Sequence, residues 1–139
     1  MKTRVLIDTG PIVALLSSRD QYHELCLNVM KDIVPPMITS WPVLTEASWL
    51  LRKNKKAIDG IFSAINGGLL LILDLDDKAP AWIHNFLKRY NDIGALPADA
   101  SITYLAEREN LDYVFTLDKK NFSTYRLSKK RALKLLPLN

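Results

Sequence analysis

Four carboxylates stand at or near the ends of apolar segments of this chain. They are Asp8 after Val5-Leu6-Ile7, Glu46 in Leu44-Thr45-Glu46-Ala47, Asp99 in Leu96-Pro97-Ala98-Asp99-Ala100, and Asp118 after Val114-Phe115-Thr116-Leu117. A carboxylate is rarely buried unless something pairs with it. A fold that buries these apolar runs must therefore bring the acids to the surface separately or gather them at one place with a counter-charge. Gathering needs a cation, because two carboxylates about 5 Å apart repel by roughly 3 kcal/mol at an effective dielectric near 20. Mg²⁺ or Mn²⁺ held by carboxylates and water is the natural partner, and its usual chemistry is on phosphate esters.

The pattern between the acids decides the fold class. Residues 4–7 read as a buried strand, followed by a turn at Asp8-Thr9-Gly10 and a short helix with Pro11 in its first turn. A helix is expected over 22–33, a strand over 37–39, and a helix from Trp41 to about Arg52 with Ser40 as its cap. A weaker helix over 55–66, a strand over 69–73 and a helix over 76–90 follow, the last capped by the run Asp74, Asp76 and Asp77. Residues 97–109 read as helix, 113–116 as strand, and 132–136 as a last short strand. Short apolar strands alternating with helices predict an α/β fold: a three-layer α/β/α sandwich with a central, mostly parallel sheet of four or five strands. In such folds ligands bind beyond the carboxyl ends of the strands. Asp8 and Asp118 are expected there, with Asp99 at a helix start and Glu46 inside a helix.

Length and composition narrow the class further. At 139 residues the chain reads as a single domain spanning 1–139, and 48% hydrophobic with 24% charged residues fits a folded globular protein. No apolar run approaches the length of a membrane span, no export signal is expected, and a membrane partner is not expected. Cys26 is the only cysteine, which excludes an internal disulfide and a cysteine-built metal site. A reducing cytoplasm is the expected location. The net charge of +4 is uneven: no acid follows Asp118, while seven basic residues do, so a basic C-terminal tail begins at about 119. A second basic knot is Arg52-Lys53-Asn54-Lys55-Lys56. Basic patches beside an acidic centre suit a polyanion whose backbone is gripped while one phosphate reaches the metals.

The four acidic motifs, in this order and spacing, resemble the PIN domain family, and most closely its single-domain VapC-type toxin ribonucleases. Val5-Leu6-Ile7-Asp8-Thr9 looks like the family's first acidic motif. Trp41-Pro42-Val43-Leu44-Thr45-Glu46 is similar to its helix-borne glutamate, Ala98-Asp99-Ala100 to its Asp-Ala motif, and Thr116-Leu117-Asp118 with Phe122 to its Thr-x-Asp motif. The resemblance covers essentially the whole chain. Gly10-Pro11 departs from the family pattern and leaves the acid in place.

The resemblance implies a metal-dependent endoribonuclease in which Asp8, Glu46, Asp99 and Asp118 are both catalytic and metal-binding, with Mg²⁺ or Mn²⁺ as cofactor. Thr9, Thr116 and Asp92 are candidate supports that hold the acids in register. Arg52, Lys53, Lys119, Lys120 and Arg126 are candidates for gripping RNA. An antitoxin protein and a homodimer are the implied partners, the latter through the apolar faces of helices near 41–66. Each acid also has a plainer role: Asp8 and Asp99 as helix caps, Glu46 as a solvated helix residue, Asp118 as a turn former. His23 and His84 have no partner at ligand spacing and read as structural or surface residues, and Trp41, Trp49 and Trp82 as core or dimer contacts. The competing functions are a non-catalytic RNA- or protein-binding module and a stand-alone RNA-processing nuclease. Asp8-Thr9-Gly10 also matches the aspartic protease triplet, but that family is all-β. A phosphatase of the Asp-x-Asp type needs an acid at position 10, which is glycine.

Overall fold

The computed structural model describes residues 4–138. The first strand, β1 (Leu6–Ile7), is fully buried and runs directly into α1 (Thr9–Leu16). Then follow α2 (His23–Met30), β2 (Met37–Thr39), α3 (Trp41–Leu50), α4 (Lys55–Asn66) and β3 (Leu70–Ile72). The second half carries α5 (Ala79–Arg89), a 3-10 turn at Asn91–Ile93, α6 (Pro97–Glu109), β4 (Tyr113–Phe115), the short α7 (Lys119–Phe122) and β5 (Lys134–Leu136). Each strand is only two or three residues long.

The five strands form one sheet in the order β3-β2-β1-β4-β5, and every pairing is parallel. The chain winds outward from β1 through β2 to β3, then returns to the other side of β1 for β4 and β5. The reversal lies between β1 and β4, where Leu6 pairs with Val114 and Ile7 with Phe115. A crevice opens at such a reversal, beyond the strand ends. The expected α/β/α sandwich with a parallel sheet is therefore observed, with five strands.

α6 is the central helix. Every residue from Ala98 to Ala106 is buried, and the helix packs on β1, α3 and α5. Its small residues Ala98, Ala100 and Ser101 allow that close approach. A helix buried all round is a core helix, not an amphipathic surface one. α3 is set by its cap: Ser40 Oγ accepts the Val43 amide at 3.4 Å and lies 2.7 Å from Ser101 Oγ, which itself donates to the Ala98 carbonyl. α3 and α6 are thus joined by buried hydroxyls as well as by apolar packing.

Several boundaries differ from the sequence reading. α5 begins at Ala79, not 76, because Asp76 forms a turn that accepts the Lys78 amide on its side chain and the Ala79 amide on its carbonyl. Asp76 also receives the Tyr104 hydroxyl and the Arg108 guanidinium, so it ties the start of α5 to α6. α2 is shorter than expected at both ends. The basic segment after 118 is no loose tail: it supplies α7 and the edge strand β5, and Arg131 pairs with Asp112. Trp41 and Trp49 are 50% and 62% exposed and so are not core residues, while Trp82 stacks on Phe86. His23 is structural, with Nδ1 2.7 Å from the Ala14 carbonyl.

Candidate metal centre

Asp8 follows the last residue of β1, and its amide donates to the Phe115 carbonyl of β4 at 3.0 Å. The backbone there is extended, so the side chain leaves the strand end and faces the crevice at the sheet's reversal. Its side chain makes no capping hydrogen bond to α1. The residue is only 6% exposed. Its Oδ2 accepts the Thr116 hydroxyl at 3.0 Å, whereas Oδ1 is buried with no hydrogen-bond partner. Burial above all, with Asp99 and Glu46 nearby, pushes the Asp8 carboxyl up to about 7 against the pull of the Thr9 amide and the Thr116 hydroxyl.

Asp99 enters from the first turn of α6 and is 9% exposed. Its Oδ2 accepts the Tyr125 hydroxyl at 2.7 Å. Burial first, then Asp118 and Glu46, raise its carboxyl above the usual range, while the Tyr125 bond opposes that. The same burial, together with Asp99, pushes the Tyr125 hydroxyl far above its usual range, so it is a donor at physiological pH. Glu46 projects from the middle of α3 and is half-buried. Asp118 is exposed, and its Oδ1 accepts the Asn121 amide at 3.2 Å as the cap of α7. Its capping role is therefore real, alongside its place at the site.

All four acids line one open cavity of about 470 Å³ with Thr9, Gly10, Gly94 and Asn121. Thr116 knits two of them together, because its hydroxyl donates to Asp8 and accepts the Asp118 amide at 3.0 Å. Thr9 is buried with its hydroxyl unpartnered. Gly10 packs closely: a Cβ there would stand 3.3 Å from Leu117 Cβ, beside Asp118, a contact tight enough that Leu117 would have to shift by a few tenths of an ångström.

A fifth acid, Asp20, also lines the cavity, with one oxygen accepting the Tyr22 amide at 2.8 Å. It lies in the loop after α1, in no apolar context, and carries no sequence signal of its own. Tyr125 was likewise illegible: nothing in the basic segment around it suggests that its hydroxyl reaches Asp99.

The residues fit a divalent cation. The donors are all oxygen, and one buried carboxylate oxygen has no protein partner. Among the described residues, no three His, Cys, Asp or Glu side chains are placed to hold one ion by direct contact alone. The acids surround a cavity instead of closing on a point. That arrangement suits a divalent cation held by one or two carboxylates plus waters.

The remaining candidates are more scattered. Asp92 is exposed on the 3-10 turn, away from the lining of the cavity, and among the described residues it bonds none of the four acids. Arg52 lies with its guanidinium 3.8 Å from the Trp49 ring centre and bonds the Trp49 carbonyl at 2.8 Å; Lys53 is exposed beside it. Lys119 donates to the Pro137 carbonyl, and Lys120 is exposed. Arg126 bonds the Ser123 and Tyr125 carbonyls and lines a different cavity with Phe86, Arg89 and Tyr90. None of these five bases lines the acidic cavity itself.

The PIN domain family matches the sequence over residues 5–127. Among solved structures, the chain is similar to VapC20 of Mycobacterium tuberculosis, a Sarcin-Ricin loop cleaving toxin, with a TM-score of 0.73 and 18% identity over 83% of this chain and 90% of that one. It is also similar to VapBC2 of Rickettsia felis, solved with a DNA fragment from its promoter, with a TM-score of 0.60 and 19% identity over 94% of this chain and 97% of that one. FitAcB of Neisseria gonorrhoeae matches with a TM-score of 0.51 and 18% identity, covering 83% and 88% of the two chains. A search of curated protein sequences finds no match.

Proposed function

The chain belongs to the PIN domain family, and from that premise we propose that it is a Mg²⁺- or Mn²⁺-dependent endoribonuclease, the toxin of a toxin–antitoxin pair. The observation that carries this reading is the buried, unpartnered Oδ1 of Asp8, raised toward neutrality, in a cavity it shares with Glu46, Asp99 and Asp118. A cation there would relieve both the burial of Asp8 and the mutual repulsion of the acids. Asp8 and Asp99 are the proposed inner ligands, with Glu46 and Asp118 acting partly through water. When bound, the metal supplies an acidified water as nucleophile and charge neutralisation at the phosphate.

The chain's own residues do the rest. Thr116 holds Asp8 and the backbone of Asp118 in one register. The absence of a Cβ at Gly10 lets Leu117 pack against it without adjustment. Neither histidine lines the cavity, so proton transfer falls to the carboxylates and water. Arg52, Lys53 and Lys120 are exposed cations suited to gripping an RNA backbone, which gives affinity without sequence choice.

The partners follow the same reasoning. An antitoxin is proposed because one of the similar structures, VapC20, is a Sarcin-Ricin loop cleaving toxin, and a toxin of that kind needs a partner that holds it in check. A homodimer through the exposed Trp41, Trp49 and Phe62 is proposed because large exposed aromatics on one helical pair mark contact surfaces. No helix among the described residues is long and apolar enough to cross a membrane. A cytoplasmic location is proposed from the lone buried thiol of Cys26.

Incubation of purified protein with structured RNA tests the activity. Cleavage is expected with Mn²⁺, no cleavage in EDTA, and none in Asp8→Asn or Asp99→Asn, each with an unchanged circular dichroism spectrum. Full cleavage by both variants would end the assignment. A protein that binds RNA but never cleaves it, with any divalent ion, would favour the binding-module alternative.

A further inference from the structure

Asp8 and Asp99 share a pattern. In each, one carboxylate oxygen is tied to a protein hydroxyl: Oδ2 of Asp8 accepts from Thr116 at 3.0 Å, and Oδ2 of Asp99 accepts from Tyr125 at 2.7 Å. Tyr125 is fully buried, and its ring is fixed by Phe86 at 4.7 Å, Tyr90 at 4.9 Å and Phe122 at 5.0 Å between centroids. A tyrosine buried this deeply needs an acceptor for its O–H. Here the acceptor is a site carboxylate, and the aromatic cage leaves the hydroxyl little freedom to follow that carboxylate elsewhere.

We infer that Tyr125 is a positioning residue that occupies Oδ2 of Asp99, so that Asp99 offers a bound cation a single oxygen. The inference rests on the reading of Asp99 as a metal ligand and deepens it. One-oxygen ligation suits a small octahedral ion, while Ca²⁺ readily accepts both oxygens of a carboxylate. Tyr125 thereby contributes to discrimination between small and large divalent cations, from a position that touches neither metal nor substrate.

The test is the Tyr125→Phe variant, which keeps the ring and deletes the hydroxyl. Mn²⁺ and Ca²⁺ binding are titrated separately by calorimetry, without substrate. The expected result is Mn²⁺ binding weakened about tenfold, the low end for loss of a ligand's outer hydrogen bond, with Ca²⁺ binding unchanged or tighter. Phe86→Leu disturbs the same packing with the hydroxyl in place, and its Mn²⁺-to-Ca²⁺ ratio is expected to match wild type. An unchanged ratio in Tyr125→Phe, or an equal loss in Phe86→Leu, overturns the role of Tyr125. Absence of Mn²⁺ binding in wild type, or wild-type affinity in Asp99→Asn, overturns the metal-site reading beneath it. Should Tyr125→Phe not fold, proton NMR of the wild type decides. A protected downfield Tyr125 hydroxyl signal that persists on adding Mg²⁺ supports the inference, and its loss on adding Mg²⁺ overturns it.

Discussion

Asp8 concentrates the conflict between stability and function. In the unfolded chain its carboxyl titrates near 4, whereas in the fold it is raised to about 7, chiefly by burial. Between those values the folded state holds a proton that the unfolded state has lost. Stability of the metal-free protein therefore falls as pH rises through this window, by at most ~4 kcal/mol. Thermal melts in EDTA are expected to show a lower Tm at pH 8 than at pH 5. Asp8→Asn, which has no proton to lose, is expected to flatten much of that slope and to melt above wild type at pH 8 while binding no Mn²⁺. An identical pH slope in the variant would show that another group carries it. Thr116→Val is a second case: it strips a buried bond from Asp8 and another from the Asp118 amide. A cost of about 1–3 kcal/mol in urea unfolding is expected, with weaker Mn²⁺ binding. The four acids were legible because each carries charge into an apolar context. Tyr125 was not, since its bond to Asp99 spans 26 residues of folded chain, nor was Asp20, which lies in a loop with no apolar context.

The helices that carry Glu46 and Asp99 are coupled through Ser40 and Ser101, whose hydroxyls lie 2.7 Å apart in the core. Ser40 also caps α3. Ser40→Ala removes the cap and leaves Ser101 with one bond fewer, so it is expected to lower stability by about 1–2 kcal/mol. Because the change loosens α3 against α6, Mn²⁺ affinity should fall too, although neither serine lines the acidic cavity. Unfolding and calorimetric titration on the same variant check both effects; lost stability with untouched affinity would uncouple the helices from the site. At this level the sequence was a good guide. The helix over 97–109 and the strand over 37–39 were legible to the residue, because Pro97 opens the helix, Asn110 ends it in a left-handed conformation, and the strand lies between Pro35-Pro36 and the Ser40 cap of the next helix. The start of α5 was misjudged because Asp76 looks like a cap but spends its oxygens on a turn, Tyr104 and Arg108.

The whole molecule gathers five of its acids in the cavity beyond its central strands and leaves many cations exposed elsewhere, among them Arg52, Lys53, Lys55, Lys56 and Lys120. Binding of an uncleavable RNA is expected to weaken steeply with salt, the log–log slope growing in magnitude by just under about 1 for each basic residue that meets a phosphate. Alanine at Arg52 and Lys53 is expected to reduce the slope. Alanine at Arg126, which faces a separate cavity, is expected to leave it unchanged. The fold class was legible from strand–helix alternation, yet which strand neighbours which was not. The sheet order depends on long-range pairing, and only that order sets β4 beside β1 and so Thr116 beside Asp8.

The edge strand β5 supports this arrangement from the far end of the chain. The Thr116 amide donates to the Leu136 carbonyl at 3.0 Å, and Lys119 reaches the Pro137 carbonyl, so the segment holding Asp118 is pinned from both sides by the last residues of the sheet. Deleting Lys134 and the residues after it would release that clasp. A protein shortened in this way should lose cation binding before it loses its helices.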